Sequence, residues 1–306
     1  MGSIVFACND MSIKVNSDNS KIINYLNDMF GSYYNDVSKG IDYEINFLVG
    51  IPLSFDYIDR ERYDSTDNYI NGNTKELNIN IPYFDKTKEL FIKRIFTTTA
   101  VKIFEQKGYT IVHGACAVKD NKGVIITGKS GSGKTTLLSK LLKNGYGYIA
   151  NDRLAIKNDG DKIIVCGIPY SMGINEKDII KSFSNFDSYS IEEINKKFLE
   201  NKEVPKYFGT YMKSHIELGA IVFCKYDGNI NGICIKDINS VNELIKANVM
   251  REDAIPKQKG YLHDIIGKYN NNCDLSDITS FELLQGKSTE KEVIDKVDDC
   301  VVRRRF

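Results

Sequence analysis

The stretch Gly128-Lys-Ser-Gly-Ser-Gly-Lys134-Thr135 constrains this chain more than any other. It fits G-x-x-x-x-G-K-[ST], the pattern of a phosphate-binding P-loop. Its flanks agree. Val124, Ile125 and Ile126 form a short apolar run before it, as in a buried strand. Thr136-Leu-Leu-Ser-Lys-Leu-Leu142 follows it with good helix formers. Strand, glycine loop and helix in that order predict an α/β fold whose loop closes on phosphate.

The spacing has a chemical reason at each position. Gly128, Gly131 and Gly133 allow positive φ and close approach of the backbone to an anion. Lys129, Ser130 and Ser132 complete the loop, whose N–H groups form an anion nest. A helix opening near Lys134 adds the positive end of its dipole. Lys134 is expected to reach the β and γ phosphates as a point charge. The Thr135 hydroxyl is expected to ligate Mg²⁺, a hard cation that prefers oxygen, with Thr136 closing the nucleotide-binding run.

Lys plus Arg and Asp plus Glu each number 41, so no net field draws in nucleic acid or anionic lipid. No apolar run reaches transmembrane length, and the first residues lack a basic n-region and long apolar core. Neither a nucleic-acid partner nor a membrane is expected. Seven cysteines are scattered without a C-x-x-C pair. Cys116, Cys166 and Cys224 fall in apolar runs, where a thiol packs as a small hydrophobe. A reduced, cytoplasmic protein is expected.

Residues 1–85 read as a small α+β domain. Strands are expected around Ile4–Ala7, Ser12–Val15, Ile45–Val49 and Leu77–Ile81, and a helix over Ser20–Phe30. Asp56–Thr74 reads as a loop or hairpin tip. Ile92, Ile95, Phe96, Thr99 and Ile103 lie at helical spacing, so 86–107 is expected as one helix that Gly108 stops. It would open a catalytic domain over 86–306. Further strands are expected at 109–118, 155–157, 163–166 and 218–224, and helices at 240–247 and 264–269. The charged segment 175–213 reads as partly helical, with Pro205 as a break. The arginine tail, Val301-Val-Arg-Arg-Arg-Phe306, reads as solvated.

A second site signal is Asp152, eighteen residues after Lys134 at the end of Tyr148-Ile-Ala-Asn-Asp152. An acid there can hold Mg²⁺ or accept the acceptor hydroxyl's proton. His113 precedes Gly114 in the strand before the loop. A histidine so placed either packs in the core or contacts phosphate and steers a carboxylate.

These residues carry a resemblance. His113-Gly-Ala-Cys-Ala-Val118, the loop run from Gly123 to Thr135, and Tyr148-Ile-Ala-Asn-Asp-Arg153 together resemble the catalytic domain of HPr kinase/phosphorylase over about residues 109–155. The resemblance implies the P-loop kinase fold related to phosphoenolpyruvate carboxykinase, with ATP and Mg²⁺ as cofactors. It implies Lys134 on the transferred phosphate, Thr135 and Asp152 at the metal, Asp152 as the base and His113 in the active site. Asn151 stands where the family has the first of two acids, and the family's later motifs are absent. Glu176 and Glu217 are candidates for the missing metal-side carboxylate. The layout is similar to divergent members beside peptide-modifying enzymes, some acting on precursor peptides in lasso-peptide clusters. The expected activity is phosphorylation of a serine on a peptide or small protein. A small-molecule hydroxyl kinase and a nucleotide-dependent binding protein remain alternatives, and homo-oligomerisation stays open.

Overall fold

The computed structural model describes residues 1–37, 40–50, 69–175, 196–238, 241–246, 272–287 and 289–303. The chain is mixed α/β and forms two compact units, Met1–Thr110 and Ile111–Met250 with Cys273–Phe306.

In the first unit, β1 (Gly2–Cys8) and β2 (Met11–Ser17) form a hairpin, followed by α1 (Ser20–Leu26), a π-helical turn (Asn27–Gly31), β3 (Tyr43–Val49), β4 (Tyr69–Gly72), β5 (Glu76–Ile81) and α2 (Lys86–Gln106). The sheet runs β1-β2-β3-β5-β4. Its two inner pairings, β2 with β3 and β3 with β5, are parallel. Alternation put Ile45, Phe47, Leu77 and Ile79 on the buried face and left Asn16, Asn46 and Asn78 on the other. Those amides hydrogen-bond across the three strands at 2.8 and 2.9 Å.

Helix α2 begins where Asp85 caps the Thr87 N–H at 2.9 Å. Phe96, at its centre, stacks on Phe30 at 4.5 Å and meets Phe6 edge-on at 4.8 Å. That aromatic cluster makes α2 part of the first compact unit, whereas the expected catalytic domain begins with it. Residues 69–72, expected within a loop, form the edge strand β4 beside β5. The rest of the expected 56–74 loop lies outside the described residues.

The second unit continues with β6 (Thr110–Lys119), β7 (Lys122–Thr127), α3 (Lys134–Lys143), β8 (Gly147–Ala150), β9 (Arg153–Asp159), β10 (Lys162–Gly167), β11 (Met172–Asn175), β12 (Lys196–Leu199), α4 (Glu203–Phe208), β13 (His215–Asn231), β14 (Ile233–Asp237), α5 (Val241–Lys246), β15 (Thr279–Lys287) and α6 (Glu290–Arg303). The main sheet runs β10-β9-β6-β7-β13-β15-β14, with β8 against β6. Strands β7, β13 and β15 are parallel, and β6 joins β7 as an antiparallel hairpin. Asp120 and Asn121 take positive φ in its two-residue turn, as a tight hairpin demands.

Both faces of this sheet are covered, so the central run of β7, Val124 to Ile126, is apolar without alternation. Val124 and Ile126 pack with Leu137, Leu138, Leu141 and Leu142 of α3 and Val293 and Val297 of α6. Ile125 faces the opposite layer with Leu154, Ile156 and Val165. Cys116, Cys166 and Cys224 are buried, and all seven cysteines are free thiols.

Three expectations need correction. Pro205 does not break a helix: it sits in the first turn of α4, where the missing N–H has no intrahelical partner to lose. The segment read as a solvated tail is entered by a helix, α6, that runs to Arg303 and buries Val301. Glu217 lies at the start of β13, where Leu218 pairs with Gly123 at the end of β7 far from the glycine loop. It is bound there by Lys122 and Lys162, so it is not near the loop's threonine. Glu176 and the expected 264–269 helix lie outside the described residues.

Candidate active site

The glycine loop spans the end of β7 and the start of α3. Gly128, Gly131 and Gly133 take φ of 143°, 77° and 90°. At Gly128 the constraint is also spatial: a Cβ would stand 2.5 Å from the Cys224 carbonyl oxygen of the neighbouring strand. Gly133 is the residue from which α3 departs, in the left-handed region. The loop rests on β13 through the Cys224 thiol, which donates to the Ser132 carbonyl at 3.1 Å. Gln285 donates to that sulfur at 3.0 Å. Burial pushes the Cys224 thiol up to about 11, so it serves as packing and not as a nucleophile.

Lys134 curls over the loop and donates to the Gly128 and Lys129 carbonyls at 2.9 and 3.0 Å. Burial lowers its pKa, and the nearby Asp152 carboxylate acts against that shift. Thr135, one residue on, donates its hydroxyl to the Asn151 amide oxygen at 3.3 Å.

Asp152 comes from the turn between β8 and β9, and its backbone is unusual. It holds φ of 79°, which costs a residue with a Cβ about 1–2 kcal/mol. Two bonds to its carbonyl hold it there: the Gly114 N–H at 3.2 Å and the His113 Nδ1 at 3.1 Å. His113 is itself set on β6, where its carbonyl accepts from Thr127 at 2.9 Å. The same Nδ1 lies 3.3 Å from Asp152 Oδ1, and Arg153 Nε lies 3.7 Å from Oδ2. Burial alone would raise the Asp152 pKa. The hydrogen bond from His113 and the charges of His113, Arg153 and Lys134 outweigh it, so the carboxyl sits below its ordinary value and is ionised at neutral pH.

One cleft of about 420 Å³ joins these groups. It is lined by His113, Gly114 and Ala115 of β6, by Ser130, Gly131 and Gly133 of the loop, and by Lys134, Thr135, Thr136 and Ser139 of α3. Asn151 and Asp152 close one side, and Gly173 and Ile174 of β11 another. Of the expected phosphate-loop residues, Gly128, Lys129 and Ser132 do not line the cleft. Ser132 is buried, and its hydroxyl has no hydrogen-bond partner. Sequence reasoning gave no role to β11 or to Arg153, which is only 8% exposed at its side chain.

A cation fit can be judged from the donors. Thr135 Oγ1, the Asn151 amide oxygen and the Asp152 carboxylate are all hard oxygen ligands facing one cleft, which suits Mg²⁺. A neutral amide at 151 leaves one carboxylate there.

The cleft thus gathers a glycine loop, a lysine and an ionised acid. No family model matches the chain. Among curated proteins, the HPr kinase/phosphorylase of Pelodictyon phaeoclathratiforme is 27% identical over 161 residues, 47% of this chain and 47% of that protein. That of Geobacillus is 37% identical over 60 residues, 20% of this chain and 19% of that protein. The chain spans about half or less of the length of the curated relatives it matches. Among solved structures, the HPr(Ser) kinase/phosphatase from Coxiella burnetii aligns with a TM-score of 0.35 and 16% identity, over 64% of this chain and 90% of that one. The curated relatives support an HPr-kinase-like family for this chain.

Proposed function

We propose that the chain is an ATP-dependent kinase that phosphorylates a serine hydroxyl on a peptide or small protein. The carrying observation is that Lys134, Thr135, Asp152 and His113 line a single cleft. The glycine nest and α3 N-terminus would hold the β and γ phosphates, with Lys134 on the transferred group. Bound Mg²⁺ would neutralise phosphate charge and be held by Thr135 and Asp152. The serine oxygen bonds to the γ phosphorus as the bond to the β–γ bridging oxygen breaks. ADP leaves, and the hydroxyl proton passes to Asp152.

An acid with a low pKa is a weak base, which suits this chemistry. A loose phosphoryl-transfer transition state needs its nucleophile oriented more than it needs early proton removal. Asp152 therefore orients the hydroxyl and takes the proton late, while His113 keeps the carboxylate in place.

The relatives' names include a phosphorylase, the reverse cleavage of phosphoserine by phosphate. With Asn151 in place of a second acid, this chain is proposed to run the kinase direction with little phosphorolysis. The test supplies phosphorylated peptide, phosphate and Mg²⁺ without nucleotide and measures pyrophosphate. Little release supports this reading; release at a rate near the forward reaction refutes it.

A further inference from the structure

Arg153 is a buried charge that the proposed reaction does not use. Consecutive side chains on an extended strand point to opposite faces. Here the left-handed turn at Asp152 breaks that alternation, and the Asp152 and Arg153 side chains converge. The guanidinium carbon lies over the Tyr170 ring, 4.7 Å from its centroid. Its Nε is fully enclosed and makes no hydrogen bond, and it faces Asp152 Oδ2 at 3.7 Å. A buried guanidinium held this way gains most from a fixed carboxylate opposite it.

Resting on the reading of Asp152 as the acid of a kinase, we infer that Arg153, clamped against Tyr170, is a positioning residue that locks the Asp152 carboxylate toward the cleft. The carboxylate is then held from both sides, Oδ1 by His113 at 3.3 Å and Oδ2 by Arg153. Neither oxygen can rotate out without losing the His113 ring nitrogen or the Arg153 guanidinium. Lysine would not substitute fully, because its compact ammonium cannot reproduce the reach of a guanidinium that meets both the aromatic face and the carboxylate. Arg153 touches no phosphate or acceptor in this role and acts only through Asp152.

The test pairs a structure with a kinetic cycle. A crystal structure of Arg153→Met is expected to show the Asp152 carboxylate turned away from His113. With ATP, Mg²⁺ and a mixed-sequence peptide library carrying one serine per peptide, Arg153→Met is expected to lower kcat by about 10–100-fold, the scale of a misplaced catalytic group. The KM for ATP should hardly change. Arg153→Lys should recover part of the loss, and Tyr170→Leu should fall between. In an Asp152→Asn background, Arg153→Met should cost nothing more. A merely structural arginine would slow both backgrounds alike. That result, or an unmoved Asp152 in the Arg153→Met crystal, would overturn the inference. If Arg153→Met does not fold, the lysine and Tyr170→Leu variants carry both arms. If Asp152→Asn alone leaves transfer intact, the kinase reading of Asp152 fails, while the crystal arm still decides whether Arg153 holds that carboxylate.

Discussion

At the scale of single residues, the proposed reaction rests on one lysine and one acid with opposite duties. Lys134 is spent on charge. Replacing it with alanine should weaken ATP binding and abolish transfer, measured by nucleotide titration and by phosphopeptide yield. Lys129 donates no contact to the cleft and should not compensate. In the proposed reaction Asp152 acts on the acceptor, so Asp152→Asn should keep nucleotide affinity and cut turnover by about 10²–10⁴-fold. The same residue predicts a pH effect on stability. Its folded pKa lies below the unfolded value of 3.8. Its ion pairs therefore stabilise the fold fully above that value and fade as pH falls through the lower folded one. Denaturant titrations should show Asp152→Asn less stable than wild type at neutral pH, with the gap shrinking near pH 3. A gap that stays constant with pH would mean the partners of Asp152 contribute nothing through its charge. Both residues were legible in sequence because each ends a recognisable run. Arg153 closes the run that carries the resemblance, but its approach to the Asp152 carboxylate was not legible, because it depends on the left-handed turn at Asp152.

At the scale of elements, strand, loop and helix act as one unit, and its parts were legible to different degrees. The apolar run of β7 and the leucines of α3 announced themselves by period, and they pack where that period placed them. Val293, Val297 and Val301 recur at helical spacing in α6, but the segment's dense charge and the arginines that follow mask that period. β11 could not be read: four residues give no period, and its place against the cleft is a tertiary fact. Two variants probe the unit. Gly128→Ala would drive a methyl into the Cys224 carbonyl and strain φ, so ATP binding should be lost, measured by calorimetry, with the thermal midpoint falling as well. Leu141→Ala should destabilise the fold by about 2–5 kcal/mol by opening the layer under α3. Its residual folded fraction should still bind ATP, which a denaturation curve with and without nucleotide would separate.

At the scale of the whole molecule, the two compact units carry different kinds of information. The second holds every residue that lines the cleft. The first carries no phosphate-binding pattern. Its aromatic core and polar asparagine face follow from alternation, and nothing in that alternation names a ligand. The acceptor was illegible for the same reason. A P-loop reads phosphates, which every nucleotide shares, whereas acceptor choice lies in surfaces without a motif. The proposed reaction moves a phosphoryl group from ATP to serine in this cleft. The most direct measurement incubates the protein with ATP, Mg²⁺ and a single-serine peptide library, beside Lys134→Ala and Asp152→Asn, and maps phosphate by mass spectrometry. The account predicts phosphoserine with the wild type, none with Lys134→Ala and a small fraction with Asp152→Asn. Equal phosphoserine from wild type and Lys134→Ala would contradict it.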